Sequence, residues 1–580
     1  MSTVHAPRSG SGPLRSLVIC GAALLLLLTF ETQRFAAFDG YQVRDLGTPI
    51  VGKFYAPWTS IGWMFTYDID VDPFTPEGKR TREPSWARAA FEVERRDLMW
   101  GGGLLLGLFL ILAIALDRIR PNTDLHGGAG WATKREIRRS ALRESEYGIV
   151  LGQTKSGDLL IHSGEENVLA IGPPGEGKTD GIARPTLMKT WPHWSAIVFD
   201  PANELTPMTA GARREHTRVR IFDPRDPGTT RYNPLTGISV RDVDGVRTVL
   251  AAYLLDRDLS EMTEQERYFN GSALELGTAL VAHAIELGTG TMEAAARYYY
   301  SAAWESDKDF CESLLKSGVP YISETASKYA RMEPKGLSAI IATLTQHFDI
   351  FRTADVEVLH FDIFRTADVA RATSSCDISP ADLRQSPTTL YLVVRERDQA
   401  SLSPLMRMLL VRFLDDLTEA LPAENDHILL LLDEFPLLRT SVVARKLATL
   451  RKYLIHPVLL AQSLAQVRGI YGPNEAISGL CDVRVFFPSV DEATQDLASR
   501  TCGQSTRWAE SLNRDGSTKQ TRTVHEVGRP LLYPHELADL KAKNEIIVYK
   551  KGERPILARR VRAHSDQRFL DRRPAESSVR

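Results

Sequence analysis

The sequence predicts an α/β fold: a parallel sheet interrupted by an all-helical segment and preceded by a two-span apolar anchor. Three observations carry this prediction. Short apolar runs of strand length alternate with helical stretches on both sides of residues 243–345. One of those runs opens directly into the glycine-rich string I-G-P-P-G-E-G-K-T-D at 171–180. Two longer apolar runs stand near the N-terminus.

The glycine-rich string matches G-x-x-x-x-G-K-[ST] over Gly172, Pro173, Pro174, Gly175, Glu176, Gly177, Lys178 and Thr179. Gly172 and Gly177 let the backbone turn tightly and aim its N–H groups at phosphate oxygens. Lys178 is placed to reach the β and γ phosphates of ATP, and the Thr179 hydroxyl to ligate Mg2+. The context suits a nucleotide loop, because Asn167–Ile171 (N-V-L-A-I) reads as a buried strand and a helix can open after Lys178.

Further strands are expected at Ser195–Asp200, Val219–Asp223, Thr389–Val394, Ile428–Leu432, Val458–Ala461 and Val483–Phe487. Ile546–Tyr549 then opens a hairpin with Pro555–Val561. Alanine-rich helical spacing between Val243 and Ile341 marks an inserted helical domain. The expected boundaries are 146–242 and 346–565 for the two parts of the nucleotide-binding domain, 243–345 for the insertion and 566–580 for a tail. The string H-F-D-I-F-R-T-A-D-V occurs at His347–Val356 and again at His360–Val369, a duplication with no chemistry of its own.

The acid strand His427–Glu434 (H-I-L-L-L-L-D-E) supplies a second half of a hydrolytic site. Beside the phosphate loop, Asp433 would hold Mg2+ and Glu434 would polarise the attacking water. Gln462 follows the next strand and is placed to contact the γ-phosphate, since ligands bind at the C-terminal ends of parallel strands. A helix between these strands is expected to carry Arg439, Arg445, Lys446, Arg451 and Lys452. Arg451 is the candidate to reach a neighbouring subunit's nucleotide.

Leu98–Leu116 is 19 residues without a charge, about 28 Å as a helix and enough to cross a hydrocarbon core of about 30 Å. Leu17–Phe30 has 14 residues and reads as a shorter span with Arg15 at its edge. Arg118, Arg120, Lys134, Arg135, Arg138 and Arg139 follow the second span, Arg95 and Arg96 on its other flank blur that charge signal, and the phosphate loop's need of cytosolic ATP places the downstream side in the cytoplasm. Residues 1–16 then form a cytoplasmic tail, 31–97 a periplasmic loop and 117–145 a polar linker, in a bacterial inner membrane. The net charge of −2 gives no gross nucleic-acid signature, which leaves a basic groove or pore open. The five cysteines form no C-x-x-C pair, which argues against a zinc knuckle or a disulfide framework. A membrane zinc protease would need H-E-x-x-H, and His535–Asp539 (H-E-L-A-D) lacks the second histidine.

The chain resembles the type IV secretion coupling proteins of the TraG type, hexameric inner-membrane ATPases with a RecA-like nucleotide-binding domain. The likeness rests on H-G-G-A-G-W-A-T-K-R-E-I from His126, the phosphate loop continuing to P-T-L-M, and F-D-P at Phe222–Pro224. It continues through Y-L-V-V, L-L-L-L-D-E-F-P, L-L-A-Q-S-L-A-Q and the C-terminal hairpin. The resemblance implies a ring around a central channel that uses ATP to deliver relaxase–DNA complexes or secreted effector proteins to a secretion channel. It also implies contacts with other inner-membrane secretion components and with single-stranded DNA. Carried over by position, Lys178, Thr179, Asp433, Glu434 and Gln462 form the ATPase set. The chain departs from the family at Asp200–Glu204, where D-P-A-N-E stands in place of D-x-K-G-E. Effector-only transport is the alternative function, and a chromosome-segregating translocase a more distant one.

Overall fold

A computed structural model describes residues 127–570, apart from 144, 146–147, 190–193, 300–303, 347–366 and 515–519, together with scattered positions between 25 and 107. The two apolar runs, the expected periplasmic loop and the duplicated string lie outside the described residues, isolated positions aside. Among the described residues no helix is long and apolar enough to cross a membrane.

The chain divides into two compact units, residues 1–128 with 506–529 and residues 129–505 with 530–580. The second is built on a sheet of eleven strands. Its strands are β1 (Ile149–Gln153), β2 (Leu159–His162), β3 (Val168–Ile171), β4 (Ser195–Asp200), β5 (Arg218–Phe222), β6 (Thr388–Val393), β7 (Ile428–Leu432), β8 (Ile455–Ala461) and β9 (Val483–Phe486). A separate two-stranded ribbon pairs β10 (Gln504–Arg514) with β11 (Gln520–Pro530), and β12 (Glu545–Lys550) and β13 (Ile556–Arg559) return to the large sheet.

The large sheet runs β2-β1-β13-β12-β9-β3-β8-β7-β4-β6-β5. The seven strands from β9 to β5 are parallel, and the other four add on as antiparallel pairs. Parallel strands covered on both faces should read as unbroken apolar runs, and β7 (I-L-L-L-L) and β8 are buried along their whole length. The pleat sends alternate residues to opposite faces, so Leu169, Ile171, Leu430 and Leu432 enter one core while Val168, Ala170, Leu429 and Leu431 enter the other.

The described residues between Val243 and Gln346 form helices joined by turns and contain no strand. The longest helix, Glu264–Glu286, opens on a capping box in which Thr263 and Glu266 exchange side-chain and backbone bonds. Val246, Leu274, Leu280 and Leu344 from this segment join the same apolar cluster as Phe199, Leu430 and Leu432 of the sheet. The insertion therefore shares a core with one face of the sheet.

At the N-terminal edge of the parallel strands, Trp194 stacks on His427 at 4.3 Å and on His456 at 4.4 Å. His427 Nδ1 lies 2.9 Å from His456 Nε2. Burial holds His456 down at about 3 and His162 at about 4. Both are neutral in the fold and titrate near 6.5 once unfolded, so protons bind the unfolded chain first. Stability is fully present above about pH 6.5 and falls below it, by roughly 1.4 kcal/mol per pH unit for each histidine down to its folded value. Urea unfolding at pH 7.5 and 5.5 checks this: the midpoint drops at the lower pH, and His456→Phe flattens the drop.

Candidate functional site

The phosphate loop begins where β3 ends. Gly172 is required there by packing, because a Cβ would stand 2.3 Å from Cβ of Phe487, the residue after β9. Gly175 and Gly177 adopt φ of +76° and +84°, a region that glycine enters without steric penalty. The helix that follows is wound wide over Thr179–Ala183 and continues as an α-helix over Arg184–Lys189. Such wide turns concentrate at functional sites.

Lys178 is buried, and its Nζ donates to the carbonyls of Gly172 and, at 3.2 Å, Pro173. Burial lowers its pKa, opposed by the carboxylates of Glu434, Asp433 and Glu176. A cation held on loop carbonyls in the field of three acids is poised to transfer to phosphate oxygens.

Asp433 stands just past β7 and accepts from Thr179 Oγ1 at 3.0 Å and 3.3 Å on its two oxygens. Burial, helped by Asp200 and Glu434, raises the Asp433 pKa to about 7, although Thr179 and Lys178 pull it down. An oxygen-only pair of hydroxyl and carboxylate matches the way Mg2+ is held together with substrate phosphates. Among the described residues no group of three or more His, Cys, Asp or Glu forms an all-protein metal cage. The Thr179–Asp433 pair therefore fits Mg2+ and leaves the other positions to phosphate and water.

Glu434 is buried and sits at φ +62°, a left-handed conformation that costs a residue other than glycine about 1–3 kcal/mol. The next left-handed residue is Arg439 at φ +45°, closing the turn Phe435–Leu438. Arg407 helps hold this turn. It is buried, donates to the carbonyls of Leu438 and Arg439, and also to those of Ala252 and Tyr253 at the end of the helix Val243–Leu254. Burial brings its pKa down to about 10.

Gln466 is a site residue that the sequence motifs do not mark. Its Nε2 donates to Glu434 Oε1 at 2.7 Å, and its Oε1 accepts from the Gln462 backbone N–H at 3.2 Å. Ser463 caps the helix Leu464–Tyr471 by accepting from the Gln466 N–H, which fixes this glutamine in the first turn. Burial raises the Glu434 pKa, while Gln466, Lys178 and Gln462 oppose the rise. The spacing Q-x-x-x-Q, one helical turn apart, was the available signal.

The Asp200–Glu204 departure has a structural account. Asp200 accepts from the N–H groups of Glu204 and Thr206 at 3.0 Å and 2.8 Å, and from the Thr206 hydroxyl at 2.7 Å. Asn203 takes φ +56°, and asparagine is among the few residues that tolerate the conformation a glycine would take. The exposed Ala202 makes the lysine's absence sterically silent.

One expectation needs correction. The helix between β7 and β8 runs only over Ser441–Leu450, so Arg439 precedes it and Arg451 and Lys452 lie in the tight turn after it. Arg451, expected to reach a neighbouring subunit's nucleotide, stands away from the phosphate loop of its own chain. It is exposed, pairs with Glu165 at 2.6 Å, and precedes β8, whose seven residues lie between it and Gln462 and alone span about 20 Å at 3.3 Å per residue. The remaining predicted residues, Gly172–Thr179, Asp433, Glu434 and Gln462, converge at the C-terminal ends of β3, β7 and β8.

A family model described as type IV secretory system conjugative DNA transfer matches residues 130–580. The conjugal transfer protein TraG of Escherichia coli is 26% identical over 585 residues, covering 90% of this chain and 85% of that protein. Protein VirD4 of Agrobacterium fabrum is 27% identical over 464 residues, covering 77% of this chain and 67% of that protein. Among solved structures, the bacterial conjugative coupling protein TrwBdeltaN70 has a similar fold, with a TM-score of 0.54 at 16% identity over 75% of this chain and 95% of that one. A TrwB structure in complex with ADP and Mg2+ scores 0.53 at 16% identity, over 75% of this chain and 94% of its own.

Because Asp433 keeps its proton up to about pH 7, a divalent cation binding there must displace that proton at lower pH. The Mg2+ concentration needed for half-maximal binding of a fluorescent ATP analogue should rise by close to tenfold per pH unit below 7 and level off above it. Asp433→Asn should abolish the pH dependence along with most of the Mg2+ effect.

Proposed function

Because the chain belongs to the type IV secretory system conjugative DNA transfer family, we propose that it is a coupling ATPase that spends ATP to pass DNA–relaxase complexes to a type IV secretion channel. The observation that carries the hydrolytic part is the meeting of Lys178, Thr179, Asp433 and Glu434 at one end of the sheet.

In this reading the N–H groups of Gly175–Thr179 and the Lys178 ammonium hold the triphosphate. Mg2+ bound by Thr179 and Asp433 would draw off charge that develops on the phosphate oxygens. Glu434, kept in one orientation by Gln466, takes the proton of the attacking water as the water's oxygen bonds to the γ-phosphorus and the bond from that phosphorus to the β–γ bridging oxygen breaks, releasing ADP and phosphate. Gln462, beside Glu434, offers its amide to the γ-phosphate. Arg451 stands at the far edge of the sheet, so a part in hydrolysis requires the nucleotide of an adjacent subunit.

The assembly we propose is a homo-hexamer in a bacterial inner membrane, anchored by Leu17–Phe30 and Leu98–Leu116 with the bulk of the chain cytoplasmic. Its support is the charge-free length of Leu98–Leu116, the basic residues after it, and the need of a phosphate loop for cytosolic ATP. The helical segment 243–345 is the proposed cargo-engaging part, tied to the turn after Glu434 through Arg407.

Lys178→Ala should abolish both ATP hydrolysis by the purified chain and conjugative DNA transfer by cells carrying it. Glu434→Gln should keep nucleotide affinity within about threefold and lower kcat by a factor on the order of a hundred or more. Undiminished hydrolysis in Lys178→Ala would remove the proposal's footing.

A further inference from the structure

Glu176 is the residue at the tip of the phosphate loop, between the two left-handed glycines Gly175 and Gly177. A carboxylate beside an incoming triphosphate is unfavourable unless its charge is matched. Here it turns away from solvent and is 5% exposed. Lys541 reaches its Oε1 at 2.6 Å, and Arg560 faces its Oε2 at 3.6 Å. That Oε2 is buried and has no hydrogen-bond donor among the described residues. Arg560 Nη1 also donates to the Glu176 carbonyl at 2.9 Å, and a Cβ on Gly177 would meet the same nitrogen at 3.8 Å. The guanidinium thus lies along the loop's backbone.

Arg560 is itself aimed from the far side. Its Nε donates to Oδ1 of Asn544, which ends the helix Glu536–Lys543 in a left-handed conformation, φ +55°. The chain beyond Arg560 continues across the loop's helix. The carbonyl of Val561 would lie 3.2 Å from a Cβ on Gly181, and the Ala563 N–H donates to the Asp180 carbonyl at 3.4 Å. His564 Nδ1 lies 2.6 Å from Asp180 Oδ2. A C-terminal strap from Arg560 to His564 therefore braces the phosphate loop and the first turn of its helix.

We propose that Arg560 is a positioning residue for nucleoside triphosphate: through Glu176 it holds the phosphate loop in its binding shape, with Lys541 matching the remaining charge. This rests on the ATPase reading. A planar guanidinium can span Asn544 and the loop at once, which an ammonium cannot. Two cations set against one carboxylate leave a net positive charge beside the phosphates.

The test uses the full-length chain, measuring affinity for a fluorescent ATP analogue together with KM and kcat for ATP hydrolysis. Arg560→Gln is expected to raise Kd and KM by about tenfold with kcat within twofold, and Arg560→Lys to recover less than half of the lost affinity. Arg559→Gln, at an exposed position on β13 outside the strap, is expected to bind as the unaltered chain does. If Arg560→Gln lowers thermal stability while Kd and KM stay put, Arg560 is only structural and the proposal falls. It falls too if Arg560→Lys restores affinity fully, since charge alone would then suffice. Failure of the unaltered chain to bind or hydrolyse ATP would instead overturn the ATPase reading.

Discussion

The hydrogen bond from Thr179 to Asp433 joins residues 254 positions apart, and much of the architecture exists to make that meeting repeatable. It requires β3 and β7 to lie on either side of β8, parallel and in register, so that all three end at one edge. That arrangement in turn requires apolar strands buried on both faces, which is why β7 is five aliphatic residues in succession. The helical segment between the two halves could be inserted at no cost to the meeting, because its core merges with one face of the sheet. The turn after the acid pair is strained at both ends, and Arg407 fastens it to the first helix of that segment. A change at the nucleotide thus has a physical route to the part proposed to engage cargo.

Burial does the electrostatic work at this site. Asp433 and Glu434 are both pushed toward their neutral forms, and Lys178 away from its charge, by the same desolvation. An anion and a divalent cation entering together relieve all three, since each buried charge gains an opposite partner in a low-dielectric setting. The acids are held apart in function by their neighbours: Asp433 faces a hydroxyl suited to a shared metal, and Glu434 faces an amide suited to orienting a base.

Much of this was legible in the sequence, for identifiable reasons. The parallel strands are continuous apolar runs, so Ser195–Asp200 and Ile428–Leu432 were read to the residue, and the others to within one to three residues at each end. The phosphate loop carries its chemistry in a fixed local spacing. Contacts made by tertiary packing were not legible. β1 and β2 are short, and the polar residues at their ends hid them. The ribbon β10–β11 mixes charges with few apolar residues and gave no alternation to read. Gln466, Arg407 and Arg560 reach Glu434, Arg439 and Glu176 across 32, 32 and 384 positions, separations no local pattern encodes.

The most direct measurement is the rate of ATP hydrolysis by the purified full-length chain, with and without single-stranded DNA, over a range of salt. A coupling motor whose nucleotide site is tied to a cargo-engaging segment should hydrolyse faster with DNA, and the stimulation should fade as salt displaces backbone contacts, whatever the base sequence. Hydrolysis that is robust yet indifferent to DNA at low salt would contradict the DNA-coupling account and leave protein effectors as the cargo.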